Sequence, residues 1–319
     1  MTDVLNLALP YFGLIFLGYA CGRFRPMPES GLAWMNFFLI YVALPCLFYR
    51  IVATTPFEEL NNVSFILGTT LATGSAYALA FAAGMVMMRG EKAPAAMAGL
   101  AGAYGNVGYM GPGLALAALG PQATAPVALI FCFDNILVFS LAPFLMALAG
   151  TEHKTFGAIA RDVTMRIALH PFIIATALGV LSAAAHFQPP VALDRLMAFL
   201  QNGAAPCALF VMGVTVALRP LRSVPWEVPV VLLVKLAVHP LMALALLSLL
   251  GPFSQTWIHA AVLMAALPPA LNAFIIARQY DTWVEQASGS VLLGTLVSVV
   301  SLTAVMWLVK TGMLPTKLF

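Results

Sequence analysis

Apolar runs long enough to cross a bilayer recur from one end of this chain to the other and leave little sequence between them. Ten are read, at roughly 4–22, 32–52, 63–88, 95–119, 124–149, 167–186, 192–218, 226–250, 256–278 and 285–309. A hydrocarbon core about 30 Å thick is crossed by about 20 helical residues. A spanning β-barrel would show short segments of alternating hydropathy instead. The predicted fold class is therefore an all-α polytopic membrane protein with ten transmembrane helices. Composition closes the soluble alternative: 62% of residues are hydrophobic and 8% charged, against about 25% charged in soluble domains. The net charge of +3 is small and gives no reason to expect nucleic acid. The expected surroundings are a lipid bilayer.

The N-terminal run carries Asp3 and no basic residue ahead of it, which is not the pattern of a cleavable signal peptide. Cys21, Cys46, Cys132 and Cys207 lie in or at the ends of apolar runs without a metal-ligand spacing, so free thiols and no metal site are expected. The separators between runs hold the charges. Loops that follow odd-numbered spans carry Arg23, Arg25, Arg89, Lys92, Lys154, Arg161, Arg166, Arg219, Arg222 and Arg278. The opposite side carries Arg50, Arg195, Lys310 and Lys317, and Lys235 lies inside span eight. Cytoplasmic loops are the ones rich in Lys and Arg. Both termini are therefore predicted outside the cytoplasm, in a cytoplasmic (inner) membrane, with 151–166 as a cytoplasmic linker.

The two halves resemble each other at an offset of 161 residues. Pro10 matches Pro171, Gly18 matches Gly179, and Pro45-Cys46 matches Pro206-Cys207. Each half, 1–150 and 167–319, holds five spans. Because five is odd, the second half must enter the membrane in the opposite sense, giving two inverted five-helix repeats, a common build of secondary transporters.

Span four is interrupted by its own composition. Gly105, Asn106, Gly108, Gly111, Pro112 and Gly113 crowd the middle of an apolar segment. Glycine weakens a helix, and proline removes a donor and clashes with the preceding turn. The offset maps the window 105–113 onto 266–274, where Pro268, Pro269 and Asn272 interrupt span nine. Peptide groups freed at that depth must face protein or a watery cavity, and a half-helix that restarts after a break presents orphan N–H groups and a positive dipole end. Two such ends, with the amides of Asn106 and Asn272, form the predicted binding site for a small organic anion. Tyr41 and Asn202, at matching positions before Pro45 and Pro206, are expected to line the same cavity.

Other polar residues lie within the spans. Asp134-Asn135 sits midway along span five, and an ionisable group at that depth is costly and a functional suspect. Asp134 either couples an ion to transport or forms an ion pair with Lys235 or Arg278. Lys235 and His239 stand one helical turn apart on span eight, ahead of Pro240. No GxSxG elbow, HExxH helix, P-loop or kinase signature is present in the sequence. The chain is accordingly read as no enzyme and no ATP-driven pump, without a cofactor, and an ion or substrate gradient must supply the energy.

At these residues the chain resembles the auxin efflux carrier family, which includes bacterial malonate and malate permeases. The strings that carry the resemblance are Tyr41 to Phe48, Gly105 to Pro112, Lys235 to Pro240, Ala266 to Tyr280, and Ser288, Thr295 and Ser298 in span ten. Pro112 follows Gly111 directly, where many members have a residue between them. The resemblance implies crossing broken helices four and nine. It also implies a scaffold of spans 1, 2, 6 and 7 beside a transport domain of spans 3–5 and 8–10, and a homodimer through the scaffold. It points to a mono- or dicarboxylate substrate such as malonate or malate, moved by alternating access. The competing readings are a sodium-coupled, bile-acid-type organic anion symporter and a non-transporting membrane sensor. Whether the coupling ion is a proton or sodium stays open at this level.

Overall fold

The computed structural model describes residues 2–25, 28–150, 157, 158, 161, 164, 165, 168–218 and 225–318. The linker expected at 151–166 lies mostly outside them, as do Arg219 and Arg222. All regular structure among the described residues is helical. Seven stretches are long and apolar enough to cross a membrane: Asn6–Phe24, Ser30–Ala53, Val63–Met87, Pro121–Leu148, Val191–Ala217, Glu227–Leu250 and Val284–Lys310. Pro171–Ala184 is a shorter apolar helix.

In chain order the elements begin with α1 (Thr2–Phe24), α2 (Glu29–Phe38), α3 (Leu44–Ala53), the one-turn α4 (Phe57–Leu60) and α5 (Val63–Met87). Next come α6 (Lys92–Ala103), α7 (Gly111–Leu119), α8 (Thr124–Leu148), α9 (Pro171–Ala184) and α10 (Val191–Ala217). The series ends with α11 (Glu227–Leu233), α12 (His239–Leu250), α13 (Gln255–Ala265), α14 (Leu271–Gln279) and α15 (Val284–Lys310). Two π-helical turns, Leu39–Ala43 and Val234–Val238, join α2 to α3 and α11 to α12 without ending the helix. Each stops two residues before a proline, Pro45 and Pro240. Proline withholds an N–H and presses on the carbonyl one turn back. A widened turn takes up both effects while the helix axis continues.

Spans four and nine are each two half-helices. The first break covers 104–110, so Gly111 and Pro112, expected inside it, instead open α7. Pro112 stands in the first turn, where its missing N–H has no intrahelical partner to lose. The second break covers 266–270 and holds Pro268 and Pro269, while Asn272 already belongs to α14.

Small residues set the closest helix contacts. A Cβ on Gly18 of α1 would lie 2.1 Å from the Phe210 carbonyl oxygen of α10, and one on Gly213 of α10 would lie 2.0 Å from the Ile15 oxygen of α1. A Cβ on Gly179 of α9 would stand 2.9 Å from Val52 Cβ and 3.0 Å from the Tyr49 oxygen of α3. Lipid offers no hydrophobic drive between helices, so such backbone approach supplies the packing energy. Arg50 at the end of α3 clamps α10: its Nε donates to Gln201 Oε1 at 2.8 Å, and it forms an ion pair with Asp194. Asn62 caps α5 by accepting from the Phe65 N–H at 3.1 Å. Cys21, Cys46, Cys132 and Cys207 are all free thiols.

Candidate functional site: the crossing of two broken helices

The two breaks lie against each other and hydrogen-bond as a fragment of antiparallel β-structure. Asn106 N–H donates to the Pro268 carbonyl at 2.8 Å, and Ala270 N–H donates to the Tyr104 carbonyl at 3.0 Å. Gly105 and Pro269 form the bridge. The prolines thus supply acceptors while lacking the donors that a helix would need. Gly105, Asn106, Gly111, Pro112, Pro268 and Pro269 are buried, and Gly108 is half-buried.

The Asn106 side chain is 2% exposed and incompletely matched. Its Oδ1 accepts from Tyr109 N–H at 3.3 Å, but among the described residues its Nδ2 finds only the Met212 thioether of α10, at 3.4 Å. Sulfur is a weak acceptor, so this amide keeps donor capacity at the crossing. Asn272 enters a second chain of polar groups. Its amide hydrogen-bonds the Tyr104 hydroxyl, which donates to Asn135 Oδ1, while Asn135 Nδ2 donates to the Phe131 carbonyl at 2.6 Å.

Asp134, the neighbour of Asn135, serves a different chain. Thr73 of α5 donates to Asp134 Oδ1 at 2.8 Å, and its hydroxyl lies 3.3 Å from His239 Nε2. His239 Nδ1 is 3.1 Å from Lys235 Nζ, which also donates to the Ala265 carbonyl at 2.5 Å. Among the described residues Asp134 and Lys235 make no direct ion pair. Thr73 and His239 stand between them. The π turn at Val234–Val238 carries Lys235, which is fully buried, as Asp134 and His239 nearly are. Arg278, the other candidate partner of Asp134, lies exposed in the last turn of α14.

A cavity of about 490 Å³ reaches the crossing, lined by Tyr41, Tyr109, Phe139, His170, Asn272 and Gln279 among others. His170 caps α9 by accepting from Phe172 N–H at 3.4 Å and stacks on Phe139. A second cavity, about 700 Å³, lies around Arg50, Glu58, Ser182 and His186. The first touches the start of α9 and the second its end, so they open at opposite ends of a helix about 20 Å long. Tyr109 and Asn272 line only the first. The structure brings Tyr41 to this cavity but not Asn202, which stands exposed on α10 and outside its lining. Tyr41 and Asn202, matched in sequence offset, therefore face different surroundings.

Sequence reasoning missed Thr73, Tyr104, Tyr109 and His170. Tyr109 falls within the span-four window and Tyr104 immediately precedes it, where aromatic residues interleave with the glycines. His170 precedes Pro171 at a helix start. Thr73 carries no signal, being one of several hydroxyl residues on α5.

The family model described as "Membrane transport protein" matches residues 3–306. The chain is 48% identical over 319 residues, the full length of both proteins, to a protein of Rhizobium meliloti (strain 1021) named "Putative malonate transporter". It is 23% identical over 294 residues to an "Uncharacterized transporter" of Methanothermobacter thermautotrophicus, covering 91% of this chain and 93% of the other. It is 22% identical over 312 residues, 97% of this chain and 98% of the other, to the "Uncharacterized transporter YfdV" of Escherichia coli (strain K12). With broken apolar helices, a polar crossing and a family match across nearly its whole length, the chain belongs to the membrane transport protein family of the auxin efflux carriers.

Proposed function

We propose that the protein is a secondary transporter that moves a small organic anion, a mono- or dicarboxylate such as malonate or malate, across the cytoplasmic membrane by alternating access. The observation that carries this reading is the crossing itself, where two interrupted helices pair through backbone at the end of a cavity open toward one end of α9. Half-helix N-termini and under-used amide donors stabilise a carboxylate without a fixed positive side chain in the cavity. The relative named as a malonate transporter supports a short dicarboxylate as the first substrate to test.

The architecture proposed with it is ten spans in two inverted five-helix repeats. Matched Gly18 and Gly179 support the repeat: each lets the first helix of one half close on the second helix of the other. A scaffold of α1, α2, α3, α9 and α10 stands beside a moving unit of α5–α8 and α11–α15. The excess of Lys and Arg in the loops after odd spans supports termini outside the cytoplasm, so the cavity at Asn272 faces inward. The proposed site comprises Asn106, Asn272, Tyr41 and the backbone at Gly105, Gly108, Gly111 and Pro268–Pro269.

Uptake of radiolabelled malonate by proteoliposomes tests this reading. Wild-type protein accumulates label against empty liposomes, and Asn106→Ala and Asn272→Ala each cut the rate at least about tenfold, the size expected when a polar contact to a bound anion is lost. Full uptake by both variants would remove the site, and no uptake of any mono- or dicarboxylate by the wild type would remove the function.

A further inference from the structure

We propose that Lys235 is the resident cation of the crossing: its ammonium fills, as part of the chain, the position that a co-transported metal ion would need, so anion transport runs without sodium. This rests on the transport reading above and goes beyond it to the coupling ion.

Four observations support it. First, Lys235 is fully buried, and an ammonium at that depth persists only where other groups replace its hydration. Second, its Nζ binds the carbonyl of Ala265, the last residue of α13. A half-helix ending at a break leaves its last carbonyls without intrahelical donors and carries a negative dipole end. Unwound carbonyls and half-helix C-terminal ends are the groups that coordinate Na⁺ or H⁺ in transporters with broken helices. Third, the ammonium lies beside the other break, since a Cβ added to Gly105 would stand 3.1 Å from Nζ and 3.3 Å from Cε. One charge is therefore held between both interruptions, where a bound ion would otherwise screen them. Fourth, the remaining charged group of the cluster is already matched. Asp134 on α8 reaches Lys235 through Thr73 on α5 and His239 on α12.

Among the described residues Lys235 Nζ meets one carbonyl oxygen and one imidazole nitrogen, fewer oxygens than a cation cage holds. A hard cation takes several oxygen ligands. Here one near neighbour is an imidazole nitrogen, and the carboxylate is engaged by Thr73. A lysine lying among these groups would also repel a second cation at close range. Lys235 is thus a positioning residue. It holds the two breaks in register, while the substrate is met by amides and half-helix ends.

The test uses the full-length protein. In proteoliposomes at constant ionic strength, malonate uptake in sodium, potassium or choline chloride is expected to agree within about twofold, since a resident charge makes no use of the external cation. A dependence on sodium of about tenfold or more would overturn the proposal. Lys235→Ala should lose uptake at least about tenfold, as for one member of a buried charged cluster. Methylammonium or ethylammonium, each able to occupy the vacated space, should restore part of it. Uptake unchanged in Lys235→Ala, or a variant that folds and stays inactive with these amines, would count against it.

A thermal-shift measurement on purified wild type reports independently of transport and of whether the variant folds. Sodium should raise the melting temperature no more than potassium does, and a sodium-specific rise would overturn the resident-cation assignment. If wild-type protein carries no organic anion, the transport reading fails, yet this binding measurement still decides the cation question.

Discussion

Thr73 contributes one hydroxyl to two buried groups on different helices, Asp134 and His239. Thr73→Val keeps the shape and removes that hydroxyl, leaving a carboxylate oxygen and an imidazole nitrogen unmatched. The expected cost is about 1–3 kcal/mol, read as a lowered melting temperature in detergent, with Thr73→Ser close to wild type. Asp134→Asn tests the ionisable group itself. If Asp134 exchanges protons during the cycle, the variant's uptake loses the pH dependence of the wild type. An unchanged pH profile would assign Asp134 to structural support of Lys235. Gly105 is constrained from both sides, because an added Cβ would lie 3.1 Å from Lys235 Nζ and 3.4 Å from Leu267 Cβ. Gly105→Ala is expected to push Lys235 from the Ala265 carbonyl and to reduce uptake more than it reduces stability, measured by comparing initial rates with the melting temperature.

At the scale of elements, proline stands in several settings, inside α1, α8 and α10 at Pro10, Pro143 and Pro206 among them. Pro45 and Pro240 follow π turns inside continuous helices. Pro112 opens a half-helix, and Pro268 and Pro269 sit in an open break. The first break has Gly105 and Gly108, and the second, with no glycine nearby, has two consecutive prolines that withhold two donors. Flanked by Leu44 and Cys46 and by His239 and Leu241, Pro45 and Pro240 stand behind wider turns in helices that continue. Near Gly105 and Gly108 the chain leaves the helix altogether. Packing between elements depends on glycine as well. Gly18→Val on α1 drives a side chain into the α10 backbone, where overpacking costs about 1–3 kcal/mol or more. Gly13→Ala on the same helix meets nothing within 4 Å. Melting temperatures of the two variants should therefore separate clearly, with Gly13→Ala near wild type. Equal values would show that the α1–α10 contact is loose.

For the whole molecule, the two cavities at opposite ends of α9 give access a direction. The crossing is reached at Tyr109 and Asn272 from the cavity at His170 and Gln279, whereas the cavity at Arg50 and His186 is lined by neither, and buried Asn106 lines neither cavity. In the proposed orientation the His170 end faces the cytoplasm. Gln279→Cys should then react with a membrane-impermeant maleimide in inside-out vesicles and not in right-side-out ones. Saturating substrate should slow the reaction if the anion enters by this cavity. Labelling only from the outer face would invert the topology.

Much of this architecture is legible in the sequence because it follows from local chemistry. Apolar length dictates helices across a bilayer, glycine and proline dictate where two of them break, and an ionisable residue in an apolar run marks itself by its solvation cost. Span boundaries such as 63–88 and 124–149 fall within a residue of α5 and α8. What the sequence leaves undetermined is orientation about each helix axis. Tyr41 and Asn202 match in position, yet only Tyr41 meets the cavity. Asp134 and Lys235 suggest a direct pair, yet Thr73 and His239 stand between them. Azimuth is set by how the packed helices and two π turns fit together, and a shift of about 100° per residue, from the 3.6-residue turn, decides which side chain faces the crossing. Only the tertiary structure fixes that angle.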